Sequence, residues 1–187
     1  MDAEDGRCAW ANSAPEYIRY HDEEWGTPLR GDDALFERLC LEGFQSGLSW
    51  ITILRKRPAF RSAFAGFSID AVAEFTDDDH ARLMADAGIV RNRAKITAAM
   101  TNARAARQLP EGLSELLWSF APTGVRHRPA TLADVPATSP ESVAMTKELK
   151  RRGFVFVGPT TAYALMQATG MVDDHVAECF RASPAGG

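Results

Sequence analysis

The chain has 187 residues, enough for one core or for two small lobes sharing one, and its 45% hydrophobic and 25% charged content suits a globular domain. A net charge of −4 argues against a uniformly basic nucleic-acid binder, and three cysteines, Cys8, Cys40 and Cys179, are too scattered for a disulfide scaffold. The longest uncharged run, 154–172, holds Gly158, Pro159, Thr160, Thr161, Gln167 and Gly170, too polar and broken to span a membrane. The acidic start lacks the apolar stretch of a secretory signal, so a cytoplasmic protein is expected. Charge is unevenly spread: residues 1–42 hold 11 acids and 4 Lys or Arg, whereas 88–107 hold five basic residues and no acid. A single basic face on an acidic protein fits this distribution.

In chain order, residues 8–27 are dense in aromatics (Trp10, Tyr17, Tyr20, Trp25), with a helix expected over Pro15 to Glu24. Asp32 and Asp33 precede an apolar spacing at Leu35, Phe36, Leu39 and Cys40, which predicts a second helix. A third is predicted from Trp50, ending before Pro58. Further helices are expected over Pro58–Phe64, Asp70–Phe75, Asp78–Asp86, Arg91–Arg107, Leu113–Phe120, Pro140–Arg152 and Pro159–Thr169. Phe154 to Val157 reads as an extended buried linker, because a lone strand has no partner. The chain is therefore expected to be all-α, with 131–139 as the crossing between a lobe of residues 28–130 and another of residues 1–27 plus 131–187.

Three stretches carry chemistry. In Leu39 to Ile53, Glu42 sits among Leu39, Leu41, Phe44, Leu48 and Trp50, and a carboxylate taken from water costs several kcal/mol unless paired. Gly43 and Gly47 allow a sharp turn or a close approach, so the stretch suggests a pocket. The alternative is a helix end where Glu42 reaches solvent and Trp50 fills the core.

Residues 83–96 read as helix, tight turn, helix. Gly88 is expected as a left-handed cap, Ile89 as a plug between the helices and Ala94 as a point of close packing. Arg91, Arg93 and Lys95 surround the exposed N–H groups of the second helix, an anion site suited to DNA phosphate. An ordinary basic hairpin is the alternative. His175 and Cys179, four apart, share a face if their segment is helical, and with Cys8 and His21 they make a Cys2His2 set suited to a closed zinc site. Here the alternative is a buried Cys179 beside a surface His175. His80 and His127 show no such arrangement.

These stretches closely resemble the constitutive (type I) 3-methyladenine DNA glycosylases of bacteria. The resemblance rests on RCAW at 7–10, YHDEEWG at 20–26, LEGFQSGLSWIT at 41–52, AGIVR at 87–91, LWSF at 117–120, KRRGF at 150–154 and DH at 174–175. It implies a bilobed helix-hairpin-helix DNA glycosylase fold, with structural zinc held by Cys8, His21, His175 and Cys179 stapling both termini into one lobe. Glu42 matches the family's base-recognising carboxylate, Tyr17, Tyr20 and Trp50 its pocket aromatics, and Trp10 and Trp25 further aromatics nearby. Gly47 and Leu48 fall where the enzyme probes the gap left by the extruded base. Gly88, Val90, Arg91, Arg93 and Lys95 fall in the DNA-holding hairpin, with Val90 in place of that motif's usual second glycine.

The implied reaction is hydrolysis of the N-glycosidic bond of 3-methyladenine in alkylated duplex DNA, releasing free base. Methylation makes the base cationic and a good leaving group, so little acid catalysis is needed. No Asp lies between Asp86 and Asp134, where related glycosylases place a sugar-stabilising carboxylate, and no lysine is placed to form a Schiff base. Release without strand cleavage by a monomer is expected. The rival is a non-catalytic, zinc-stabilised DNA-binding module, which would leave a carboxylate framed by aromatics unexplained.

Overall fold

The computed structural model describes residues 6–124 and 128–181; His127 lies outside them. Among the described residues there is no strand. In these residues a 3-10 turn, Ala9–Ser13, leads into nine α-helices: α1 Pro15–Glu23, α2 Asp32–Gln45, α3 Trp50–Ala63, α4 Ile69–Ala73, α5 Asp77–Ala85, α6 Arg93–Arg107, α7 Leu113–Trp118, α8 Pro140–Arg151 and α9 Pro159–Ala168. No described helix is long and apolar enough to cross a membrane.

The arrangement is organised around α2, which contacts α3, α4, α6, α7 and α9. Its Leu35, Phe36, Leu39 and Phe44 are buried with Phe60, Phe64, Phe67, Leu83, Ile96, Leu149 and Tyr163 in one continuous core. Burying such side chains contributes about 1.5–3 kcal/mol each. Glu42 is thereby carried on the most enclosed helix.

Several local expectations are corrected. Helix α3 runs through Pro58 to Ala63 instead of ending before it. The proline removes one helical hydrogen bond and costs roughly 3 kcal/mol, but continuing the helix buries Phe60 and Ala63 in the core. Gly88 is not left-handed: α5 ends at Asp86 in an extended conformation. Its role is proximity, since a Cβ there would come 3.0 Å from the Ala59 Cβ, while its N–H donates to Asp86 Oδ1 at 2.8 Å. Ile89 is buried as expected, but Ala94 is exposed.

The 154–157 segment is not the extended buried linker expected: it bends at Phe156 (φ +59) and is only half buried, with Phe154 and Val157 inside and Val155 and Phe156 outside. Asn102 holds it by donating to the Val155 carbonyl and accepting its N–H. Residues 175–179 are a turn rather than a helix, with Cys179 N–H donating to the Val176 carbonyl at 2.8 Å.

Candidate active site

A cavity of about 490 Å³ opens between α1, α2, α3 and α9, lined by Trp10, Tyr17, Tyr20, Trp25, Trp50 and Glu42 together with Ser13, Gln45, Ala164 and Gln167. Its aromatic wall is a chain of ring contacts: Trp10 meets Tyr17 edge-on at 5.7 Å and Trp25 at 5.2 Å, and Tyr20 meets Trp50 at 5.6 Å. The five aromatics expected from the sequence thus surround one carboxylate.

Glu42 is 6% exposed and no hydrogen bond reaches its side chain among the described residues. Burial pushes its carboxyl up to about 7, and the Arg38 charge, one helical turn earlier, offsets only part of this. Arg38 also donates to the Tyr20 hydroxyl at 3.4 Å and is paired, like Arg57, with Glu24. This ionic triad fixes Tyr20 from behind.

Beyond Glu42 the chain forms a tight turn. Ser46 (φ −49, ψ 120) and Gly47 (φ +79) have the dihedrals of a type II turn, which favours glycine at its third position. Leu48 N–H donates to the Gln45 carbonyl at 2.7 Å, and Gln45 Nε2 returns a bond to the Leu48 carbonyl at 2.8 Å. Leu48 therefore stands on a closed turn, 39% exposed, between the carboxylate and Trp50.

The α5–α6 hairpin lies to one side of this turn. Arg91 and Arg93 are exposed and hold no ion pair or hydrogen bond among the described residues, unlike most arginines of the chain. Val90 is half buried against the core. Lys95 does not join the exposed pair: it is 8% exposed and its Nζ donates to the Phe44 and Ser46 carbonyls.

Residues 10–182 match the methyladenine glycosylase family. The chain belongs to that family. It is 46% identical to DNA-3-methyladenine glycosylase 1 of Escherichia coli (strain K12), over 92% of this chain and 95% of that one. The fold superimposes on a crystal structure of 3-methyladenine DNA glycosylase I with a TM-score of 0.90 at 44% identity, over 95% of this chain and all of the other. The Staphylococcus aureus 3-methyladenine DNA glycosylase I, studied for 3-methyladenine recognition, superimposes at 0.89 with 34% identity, over 97% and 98% of the two chains.

Next to the pocket of this methyladenine glycosylase lies a buried cluster of cysteine and histidine side chains that could hold a metal ion. Ligand atoms of Cys8, His21 and Cys179 lie within 4.8 Å of one another. His175 adjoins them, its ring centroid 5.1 Å from that of His21, and its Nε2 is buried without a hydrogen-bond partner among the described residues. Each histidine donates Nδ1–H to a carboxylate at 2.8 Å, His21 to Asp22 and His175 to Asp173. That arrangement leaves both Nε2 atoms as lone-pair donors, the usual outer shell of a metal-bound histidine. Gly26 is required here, because a Cβ would come 2.5 Å from His175 Cε1. Burial pushes the Cys8 thiol up to about 12. The donor set fits a zinc ion.

Sequence reasoning missed Gln167 and Ala164, which complete the cavity from α9. Gln167 Nε2 donates to Asp174 Oδ2 at 2.9 Å, and Asp174 also accepts from the Tyr163 hydroxyl at 2.6 Å. Asp174 accepts both bonds, which orients the amide and leaves the Gln167 carbonyl oxygen as an acceptor. Its only sequence signal was a polar residue inside an apolar helix.

Proposed function

We propose that this methyladenine glycosylase takes 3-methyladenine out of alkylated double-stranded DNA, hydrolyses its N-glycosidic bond, and releases free base from an otherwise intact strand. The observation that carries this is the pocket itself: five aromatic rings around one buried carboxylate with no hydrogen-bond partner among the described residues. Extrusion of a base costs a few kcal/mol, recovered by stacking and edge hydrogen bonds. Aromatic faces suit a base made cationic by methylation. Glu42 accepts from the adenine edge and, once ionised, stabilises that cation.

The remaining parts follow the same division of labour. Leu48, on its glycine-dependent turn, fills the gap left by the base, while Arg91 and Arg93 at the helix-hairpin-helix grip phosphate beside Val90; the Gly88 N–H is already engaged by Asp86 and adds no donor. Lysine is absent from the described lining of the cavity, which supports release of base without a Schiff-base step. Zinc held by Cys8, His21, His175 and Cys179 would leave no open ligand position, so its part would be structural. Trp25 stacks against His21 and meets His175 edge-on at 4.6 Å, so such a staple stiffens the aromatic wall and joins residues 1–27 to 131–187. The chain is expected to act as a monomer.

The test is to incubate the protein with methylated duplex DNA, identify released base by chromatography, and examine the strands before and after cleavage of abasic sites. Release of 3-methyladenine with unbroken strands is expected, with Glu42→Gln impaired. Duplex binding with no base released would leave only a zinc-stabilised binding module.

A further inference from the structure

The hairpin and the pocket are joined by two ammonium groups that reach in opposite directions. From α3, Lys56 Nζ donates to the Ala87 and Gly88 carbonyls of the hairpin turn, at 3.2 Å each. From the first turn of α6, Lys95 Nζ donates to the Phe44 carbonyl at 2.8 Å and to the Ser46 carbonyl at 2.5 Å. Both acceptors belong to the end of α2, where carbonyls lack intrahelical partners and the helix dipole favours a cation. Glu42 lies two residues before the first acceptor, and Leu48 two residues after the second.

Lys95 is also held at its own backbone. Its N–H donates to the Asn92 side chain at 3.1 Å, which caps α6 between the exposed Arg91 and Arg93. The same few residues therefore present two cations to solvent and send a third inward. With 8% exposure and its donors directed at protein carbonyls, Lys95 is unavailable as a phosphate ligand.

We propose that Lys95 is a positioning residue that fixes the last turn of α2 and the Gln45–Leu48 turn relative to the hairpin, so that Glu42 and Leu48 stand in register with the gripped DNA. This rests on the glycosylase reading above, in which Leu48 enters the duplex and the hairpin holds phosphate. Without Lys95 the Leu48 turn keeps its internal bonds to Gln45 but loses its tie to α6. DNA is then still bound, while extrusion is no longer guided to the pocket.

The experiment compares wild type, Lys95→Met and Lys95→Gln under single-turnover conditions on methylated duplex, with undamaged-duplex affinity measured across a salt series. The expected result for Lys95→Met is a loss of about tenfold or more in the excision rate, with duplex affinity, salt slope and affinity for free 3-methyladenine unchanged. Lys95→Gln, which keeps one donor group, recovers part of the rate and carries the comparison where Lys95→Met does not fold. In the Leu48→Ala background the Lys95→Met loss shrinks, because both changes act through one turn. A salt slope shallower by about 0.9 would make Lys95 a phosphate contact instead. An unchanged excision rate with only a lower melting temperature would make it a plain structural lysine, and either result overturns the proposal. Base release by wild type, run alongside, reports on the glycosylase reading separately.

Discussion

The Tyr17 hydroxyl oxygen accepts the Ile51 backbone N–H at 2.9 Å, and this one bond joins two aromatic walls of the pocket. Ile51 lies in the first turn of α3, where N–H groups have no intrahelical acceptor, so Tyr17 caps the helix that carries Trp50. With its oxygen engaged, the Tyr17 proton is free to donate into the cavity. Tyr17→Phe leaves the Ile51 N–H unpartnered and is expected to lower stability by about 1 kcal/mol, read from denaturant midpoints. Affinity for free 3-methyladenine should fall several-fold in titrations. Unchanged affinity would mean that the phenol serves the fold alone.

Glu42 links function to a stability cost. Its carboxyl titrates near 4.5 in the unfolded chain and near 7 once buried, so folding favours the protonated form. The stability it contributes is full below the unfolded value and is lost as pH rises through about 7. Glu42→Gln has no such titration and is expected to be more stable than wild type above neutrality, by an amount on the order of 3 kcal/mol. Excision should meanwhile drop, with duplex affinity nearly intact. Parallel pH–stability curves for the two proteins would show that Glu42 is solvated, and equal loss of duplex affinity would mark it as structural.

A carboxylate in an apolar run beside two glycines and Trp50 suggested a pocket from the residues alone, whereas the place of Trp10, Tyr17, Tyr20 and Trp25 in its wall came from the family resemblance. The cysteines and histidines of the buried cluster were singled out by residue type, but their geometry was not legible, since 175–179 turns rather than coils and only the fold brings His21 and Cys179 within 3.3 Å. Lys95 could not be read. Next to Arg91 and Arg93 it looked like a third surface cation, and its inward direction depends on where α2 ends, a tertiary fact with no local signal. Pro58 misled for a similar reason: its local cost is real, but burial of Phe60 outweighs it. Gly88 was expected as a left-handed cap, and what the fold asks of it is instead a close approach to Ala59.

The Cys8, His21, Cys179 and His175 cluster predicts one tightly held zinc per chain in protein purified without chelator. Removing it under mildly denaturing conditions leaves buried polar groups without a partner and should lower the melting temperature by at least several degrees. Because Trp10 and Trp25 pack against His21, the tryptophan emission should shift on removal and return when zinc is restored. His175→Ala, which deletes the side chain whose Nε2 has no hydrogen-bond partner, is expected to weaken metal retention with less structural damage than Cys8→Ala. Protein that is fully stable and metal-free would remove zinc from the proposal and leave the cluster as packed thiols and imidazoles.

Arg91 and Arg93 are where charge should be felt by DNA. Each phosphate contact releases counterions, so losing one shallows the dependence of log affinity on log salt by about 0.9. Arg91→Ala and Arg93→Ala are each expected to weaken duplex binding equally for methylated and undamaged DNA and to reduce that slope by roughly this amount. The affinity for free 3-methyladenine should not move, because neither side chain lines the cavity. Arg82, exposed on α5 but paired with Asp79 and bonded to the Ala63 carbonyl, is the control. If Arg82→Ala lowers the slope as much as Arg91→Ala, the effect reports overall charge, and the DNA grip lies elsewhere.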